Sequence, residues 1–142
     1  MVNVRVDPHS LVPPSQQLVA AVLDAIAAGE LVPGDKLPPV RAVASEALVN
    51  PNTVTKAWRD LERLGATEGR NGSGVFVTAA GPDVAKAIRL AETLATLRSA
   101  VQQARRAGHE ETTLRAVLEA VRRGAAVGAG EKGNRSGNGR RA

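Results

Sequence analysis

The segment VNPNTVTKAWRDLERLG, residues 49–65, carries signals for a helix at both of its ends. Asn50 is a favourable N-cap, Pro51 suits the first helical position, and Gly65 suits the left-handed residue that follows a last turn. Apolar residues at helical spacing predict one inward face, formed by Val54, Ala57, Trp58, Leu61 and Leu64. The segment is therefore predicted to be an amphipathic helix with a polar and basic outer side.

Two further helices are predicted before this one, at residues 15–28 and 39–47. Both repeat apolar residues at helical spacing, and Pro39 is tolerated in a first turn because its missing N–H would have no partner there. The intervening VPGDKLPP predicts a loop with a tight turn at Pro33-Gly34. Only LVN separates the second and third helices. Together they form a helix-turn-helix, a motif whose second helix can enter the major groove of DNA.

A hairpin is predicted after the third helix. In ATEGRNGSGVFVT, two short extended runs flank Asn71-Gly72, and Asn-Gly is the strongest short signal for a type I′ turn. The opening VNVRV alternates apolar and polar residues and predicts a short strand or an extended arm. Three helices and a hairpin follow one another as in a winged helix-turn-helix, so the predicted fold class is mainly α with a small β-wing.

Composition limits the other functions that this chain could have. A length of 142 residues allows one small domain plus an appendage. There is no cysteine, and His9 and His109 stand alone, so no metal site, cofactor or catalytic triad is predicted. The GRNGSG stretch leads into a strand rather than a helix, which argues against a nucleotide-phosphate loop. The N-terminus lacks an apolar signal region and no apolar run can span a bilayer, which predicts a cytoplasmic protein without membrane contact.

The net charge of +5 is unevenly distributed along the chain. Residues 1–80 carry 7 basic and 8 acidic side chains, whereas residues 81–142 carry 12 and 6. A basic composition alone is therefore weak evidence for DNA binding, and the case depends on where individual charges lie.

Residues 29–77 resemble the DNA-binding domain of the GntR family of bacterial transcription regulators. The resemblance rests on PGDKLP, on Arg41 shortly after it, on VNPNTV, on LERLG and on the closing GSGVFV. VNPNTV, together with the short C-terminal region, most resembles the YtrA-type subfamily. The sequence departs from the family pattern at Pro39, Thr55 and Asn71, where serine, arginine and a basic residue are usual.

The resemblance implies a set of DNA-contacting residues. Arg41 matches a DNA-contacting arginine of the second helix, and Gly72 matches a wing-tip glycine that approaches the minor groove. The positions that match the major-groove face of the recognition helix are Asn52, Thr53, Thr55 and Lys56. Apart from the resemblance, Arg59 and Arg63 are candidate phosphate contacts, with a merely solvated side chain as the alternative for each, and Arg70 completes the predicted contacts.

Two helices are predicted after the wing, at about residues 83–107 and 110–123. The first has apolar residues in alternating steps of three and four, the spacing of a coiled-coil seam: Ala87, Leu90, Leu94, Leu97, Val101 and Ala104. The second carries Leu114, Val117, Leu118 and Val121. Pairing with a second chain through residues 84–121 is predicted, and folding back on the winged domain is the alternative. Two such helices cannot enclose a drug-sized pocket, so no small-molecule effector is identified.

The predicted organisation is a winged helix-turn-helix DNA-binding domain at residues 1–80, a two-helix dimerisation region at 81–123 and a tail at 124–142. The tail has 6 glycines in 19 residues and is predicted to be disordered. The chain is predicted to be a homodimeric regulator of transcription that binds an inverted-repeat operator in double-stranded DNA. Repression is predicted in preference to activation. The alternative is a winged-helix protein-interaction module without specific DNA binding. An enzyme is not predicted.

Overall fold

The computed structural model describes residue 2 and residues 4–124. The described residues form two compact units that divide after Ala95. In chain order the elements are α1 (Pro14–Ala27), α2 (Val40–Ala47), α3 (Pro51–Arg63), β1 (Thr67–Arg70), β2 (Gly74–Val77), α4 (Gly81–Arg106) and α5 (Glu111–Arg122). The predicted order of helices and hairpin is confirmed, with helix bounds that differ from the predictions by one or two residues.

The core of the first unit is almost entirely aliphatic. The first three helices supply most of it, through Leu18, Val22, Leu23, Ile26, Val43, Ala44, Ala47, Val54, Ala57, Trp58 and Leu61. Trp58 is only 5% exposed, so its assignment to the core is confirmed. Leu64 was predicted to face inward but is 40% exposed. It lies at the C-cap, where the positive φ of Gly65 (+84°) turns the chain away from the helix axis.

The turn between α2 and α3 joins a strained residue to a capped helix. Leu48 has a φ of +56°, in the left-handed region that a branched side chain rarely adopts, and 90% of its surface is exposed. Two residues later, the Asn50 side-chain oxygen accepts a hydrogen bond of 2.8 Å from the Asn52 backbone N–H. The predicted cap is confirmed, and it fixes the first turn of α3.

The wing is an antiparallel hairpin in which Thr67 pairs with Val77 and Arg70 pairs with Gly74. The prediction of a type I′ turn was wrong. Three residues separate the strands, and the Ser73 N–H donates to the Arg70 carbonyl at 2.9 Å. Positive φ is found at Gly72 but not at Asn71, whereas a type I′ turn requires it at both. Gly74, the first residue of β2, also has a positive φ, of +114°.

A segment predicted only as loop pairs with the outer edge of this hairpin. Lys36 lies opposite Phe76, and its neighbours make the flanking backbone hydrogen bonds: the Leu37 N–H donates to the Val75 carbonyl at 2.8 Å and the Val77 N–H donates to the Asp35 carbonyl at 2.9 Å. The wing is thus anchored along β2 on both sides.

The N-terminal segment is described at residue 2 and from residue 4 onward, and none of these described residues before α1 lies in a strand. Val2 and Val4 of this segment are buried in the core of the first unit. The Gln17 side chain holds the chain beyond it, with its Nε2 donating to the carbonyl of Asp7 at 3.0 Å and to that of Val12 at 2.8 Å.

The first unit extends past residue 80, the predicted end of the winged domain, because the first turns of α4 pack on its core. Ala85 is fully buried. Arg89 donates to both carboxylate oxygens of Asp24 on α1, at 2.7 and 3.3 Å, and to Glu92 at 2.7 Å. The hydrogen bond to Asp24 raises the pKa of Arg89, and burial opposes it. An arginine with a raised pKa loses its charge only at very alkaline pH, so the Arg89 guanidinium is charged and can hold these carboxylates at neutral pH.

The second unit, described from residue 96 to 124, contains the end of α4 and all of α5 and has no buried residue over that range. Its larger apolar side chains are exposed except for Leu114, which is half-buried; the exposed ones are Leu97, Val101, Val117, Leu118 and Val121. The predicted disordered tail at 124–142 lies outside the described residues except for Gly124. Among the described residues, no helix is long and apolar enough to cross a membrane.

Candidate nucleic-acid interface

The outer side of α3 presents one polar stripe. Because Val54, Ala57, Trp58 and Leu61 turn inward, the residues spaced by three and four on the opposite side face solvent: Asn52, Lys56, Arg59 and Arg63. Thr53 and Thr55 lie at the two margins of this stripe and are half-buried. The structure therefore brings the predicted recognition-helix residues together on one helix, with the threonines less accessible than the others.

The polar groups of the first turns differ in how freely they can bind a ligand. The Asn52 side chain makes no hydrogen bond to any other residue that the structure describes, so its donors and acceptor all remain available. The Thr55 hydroxyl donates to the Pro51 carbonyl at 3.1 Å. Thr55 therefore offers a methyl group and acceptor lone pairs, but its proton is already committed to the helix.

The basic residues of α3 are also not equivalent. Lys56 donates to one carboxylate oxygen of Asp60 at 3.0 Å, and Arg63 donates to the other. Arg59, which is exposed, has no ion-pair partner within the described part of the chain. The i,i+4 spacing of Lys56 and Asp60 in the sequence is the signal that indicates this ion pair.

The wing carries a second group of predicted contacts. The Arg70 guanidinium lies 4.3 Å from the centre of the Phe76 ring, and it makes a long ion pair of 3.4 Å with Glu68. Stacking on an aromatic face limits the directions in which this cation can point. Gly72 lies at the exposed end of the hairpin, and its φ of +70° explains why glycine suits the turn.

Lys36 is a basic wing residue that the sequence analysis missed. Its side chain crosses the face of Gly74, where an added Cβ would lie only 2.5 Å from Lys36 Cε. Opposed residues of an antiparallel pair share a face, so Lys36, Phe76 and Glu68 are on one side of the wing. The signal was the alternation in DKL, with Leu37 buried and Lys36 exposed, but it was too short to indicate a strand.

Arg41 follows the first residue of α2 and is exposed, without an ion-pair partner in the described ranges. Pro39 occupies the N-cap and gives the helix no side-chain cap. The sequence prediction of a helix start at Pro39 was therefore early by one residue, because proline here precedes the helix instead of opening it.

A helix-turn-helix with a polar and basic second helix, followed by a wing that carries Lys36 and Arg70, defines the winged-helix class of nucleic-acid-binding folds. Buried apolar residues behind α3 and backbone pairing along β2 fix where these side chains lie.

Comparison with known proteins agrees with this class. A sequence model of the family described as "Bacterial regulatory proteins, gntR family" matches residues 14–77. The HTH-type transcriptional repressor YtrA of Bacillus subtilis is 39% identical over 75 residues, covering 53% of this chain and 58% of YtrA. The HTH-type transcriptional regulator Rv1152 of Mycobacterium tuberculosis is 38% identical over 96 residues, covering 67% of this chain and 79% of that protein. The structure of YtrA from Sulfolobus acidocaldarius, a GntR-family transcription factor, matches with a TM-score of 0.52 and 32% identity, covering 65% of this chain and 97% of that one.

The chain belongs to the GntR family and is similar to its YtrA-type members. The predicted family resemblance and fold class are confirmed. These relatives are named as regulators or repressors of transcription, in agreement with the prediction that the protein is not an enzyme. The matched region spans less than two thirds of the Bacillus YtrA sequence.

Proposed function

We propose that this protein is a transcriptional regulator that binds double-stranded DNA sequence-specifically, as a homodimer on an inverted-repeat operator. The observation that carries the proposal is the outer stripe of α3, in which Asn52, Lys56 and Arg59 project from a helix whose other side is fixed in the core. Such a helix fits the major groove of B-DNA with its N-terminal end toward the bases.

In this proposal the residues divide into base readers and phosphate contacts. Asn52 has a free amide that can bond the two major-groove atoms of adenine, and Lys56 can reach guanine acceptors once it leaves Asp60. Thr53 and Thr55 contribute short-range contacts from the margins, the latter through its methyl group. Arg59 is assigned to phosphate, which sets register and affinity but not sequence.

The wing and α2 supply further contacts. Arg41 is assigned to the DNA backbone, because it is exposed near the start of the helix that precedes the recognition helix. Gly72 is proposed to let the wing tip approach the minor groove, since it adds no side chain at the turn. Arg70 and Lys36 flank Phe76 on one face of the wing and are proposed to contact phosphates on either side of that groove.

The second unit supports the homodimer in the proposal. The described part of this unit has no buried residue, and its leucines and valines other than Leu114 are exposed, which leaves apolar surface of the kind that marks an interaction site. The occupant proposed is the same region of a second chain, because the predicted seam has the alternating spacing of paired helices. Two-fold pairing would present two copies of α3 to an inverted repeat.

Repression is the proposed sign of regulation, because the similar Bacillus protein is named a repressor. Action on DNA also implies a cytoplasmic location. The alternative function, a winged-helix module that binds protein, is favoured by no specific observation on α3. DNA-binding measurements distinguish the two functions, because a protein-binding module needs neither a preferred DNA sequence nor a salt-dependent affinity for DNA.

Selection of bound sequences from random DNA duplexes tests the proposal directly. A regulator should enrich one sequence, with two inverted half-sites if it binds as a dimer, and its affinity should fall steeply with salt as phosphate contacts release counterions. Enrichment of no sequence would overturn the proposed function, and enrichment of a single half-site would retain DNA binding but remove the dimer.

A further inference from the structure

The recognition helix contains an acidic residue that holds two of its basic side chains. Asp60 lies beside the polar stripe and only 18% of its side chain is exposed, whereas the side chains of Lys56 and Arg63 are 63% and 75% exposed. One carboxylate oxygen accepts from Lys56 at 3.0 Å and the other accepts from Arg63. The carboxylate is therefore bridged between a predicted base reader and a basic residue two turns further along the helix.

These ion pairs add little to the stability of the fold. Ion pairs between residues three or four apart on a helix surface contribute little to stability, because water and salt screen the exposed partner. Their effect on a nearby polyanion is different. A carboxylate placed among the phosphate-facing cations lowers the positive potential of the whole surface and repels DNA phosphates directly.

We infer that Asp60 is a specificity-determining residue that restrains sequence-independent binding of DNA; this inference rests on the proposed DNA-binding function. On an unrelated sequence, Lys56 finds no base acceptor in register and stays with Asp60, so α3 contributes fewer cations to the phosphate backbone. On the operator, a guanine acceptor replaces the carboxylate as the partner of Lys56. The Asp60 carboxylate therefore weakens binding mainly at sequences other than the operator. A repulsive group that acts on the wrong partner increases specificity in this way.

The test is Asp60→Asn, an isosteric change that removes the charge and both ion pairs. Binding to the selected operator and to an unrelated duplex is measured across a salt series. Glu62→Gln is the matched control, because it removes one carboxylate from the same helix without a hydrogen bond to Lys56 or Arg63 within the described residues. The fluorescence of Trp58, the single tryptophan of the chain, reports whether the fold is kept.

The expected result is an increase of roughly three- to tenfold in affinity for the unrelated duplex, from the loss of one nearby negative charge. For the unrelated duplex, the slope of log affinity against log salt concentration should become steeper by about 1–2, because Lys56 and Arg63 become available to phosphates. Operator affinity should rise less, so the specificity ratio should fall. Glu62→Gln should leave this ratio close to that of the parent.

Three results would overturn the inference. In the first, the ratio is unchanged in Asp60→Asn. In the second, Glu62→Gln lowers the ratio equally, which would make the effect one of net charge. In the third, Asp60→Asn loses operator affinity while binding to the unrelated duplex is unchanged, which would make Asp60 a direct acceptor for a base such as cytosine. A parent protein without any sequence preference would instead contradict the proposed function itself.

Discussion

The two units of this chain use similar apolar patterns with different outcomes. In the first unit α3 buries Val54, Ala57, Trp58 and Leu61 against the other helices. In the second unit α5 repeats apolar residues at helical spacing and buries none, and Leu97 of α4 is 52% exposed. Apolar periodicity thus predicted helices in both places, but whether a stripe finds a partner depends on what else the chain supplies. The first unit has three helices, an N-terminal segment and a wing to close its core, whereas the part of the second unit that the structure describes has two helix segments.

The largest change in free energy is expected in the second unit, for the association of two chains. In a two-fold dimer, Leu97→Asp removes two buried leucines, each worth about 1.5–3 kcal/mol, so association should weaken by about 3–6 kcal/mol. Sedimentation should show a monomer, with Trp58 fluorescence unchanged and weak half-site binding retained. Ser99→Asp, on the opposite side of the helix, is the control and should remain dimeric. A dimeric Leu97→Asp with normal operator binding would show that the seam is elsewhere.

In the first unit, substitution of a core residue is expected to change the stability of the fold and not the association of two chains. Leu61 is fully buried, and Leu61→Ala should lower the free energy of unfolding of the first unit by about 2–5 kcal/mol through lost burial and a residual cavity. Urea titration followed by Trp58 fluorescence measures this. Leu11→Ala makes the same change at a fully exposed leucine and should stay within about 0.5 kcal/mol of the parent. Equal losses of unfolding free energy in Leu61→Ala and Leu11→Ala would contradict the assignment of Leu61 to the core.

Within α3, the buried side is expected to determine stability and the outer side to determine DNA binding. Asn52→Ala on the outer side should weaken operator binding by about 1–3 kcal/mol if the amide bonds a base, while the thermal midpoint stays near that of the parent. Titration of the selected duplex and a melting curve measure the two quantities. Gln16→Ala, an exposed polar residue of α1, should change neither. Unchanged operator affinity in Asn52→Ala would mean that this turn of α3 does not read bases.

The smallest effect is expected at the turn that joins α2 to α3. A left-handed backbone costs a residue with a side chain about 1–2 kcal/mol, part of which glycine returns through its flexibility in the unfolded chain. Leu48→Gly should therefore stabilise the first unit by about 0.5–1 kcal/mol. Ala42→Gly, in the regular part of α2, should destabilise it by a similar amount. Thermal unfolding of both variants measures the two signs, and destabilisation by Leu48→Gly would show that the exposed leucine makes a stabilising contact.

The sequence by itself determined the local elements, because their signals lie within a few residues of one another. Asn50 and Pro51 start α3, Gly65 ends it, and the apolar stripe between them identifies Trp58 as core. The family motifs added the set of candidate DNA contacts. These residues could be placed on a helix or a hairpin without any knowledge of their distant neighbours.

Only the tertiary structure decided the relations that depend on packing and on side-chain direction. Lys36 became a wing residue through pairing with Phe76, forty residues away in sequence numbering, and Gly74 gave its side chain space to cross the sheet. Leu64 turned outward because the chain leaves the helix at that point, and Asp60 engaged Lys56 and Arg63 together because all three project from neighbouring turns. Periodicity records which side chains are apolar, but hydrogen bonding between distant backbone segments and competition between charged partners are set by three-dimensional distance.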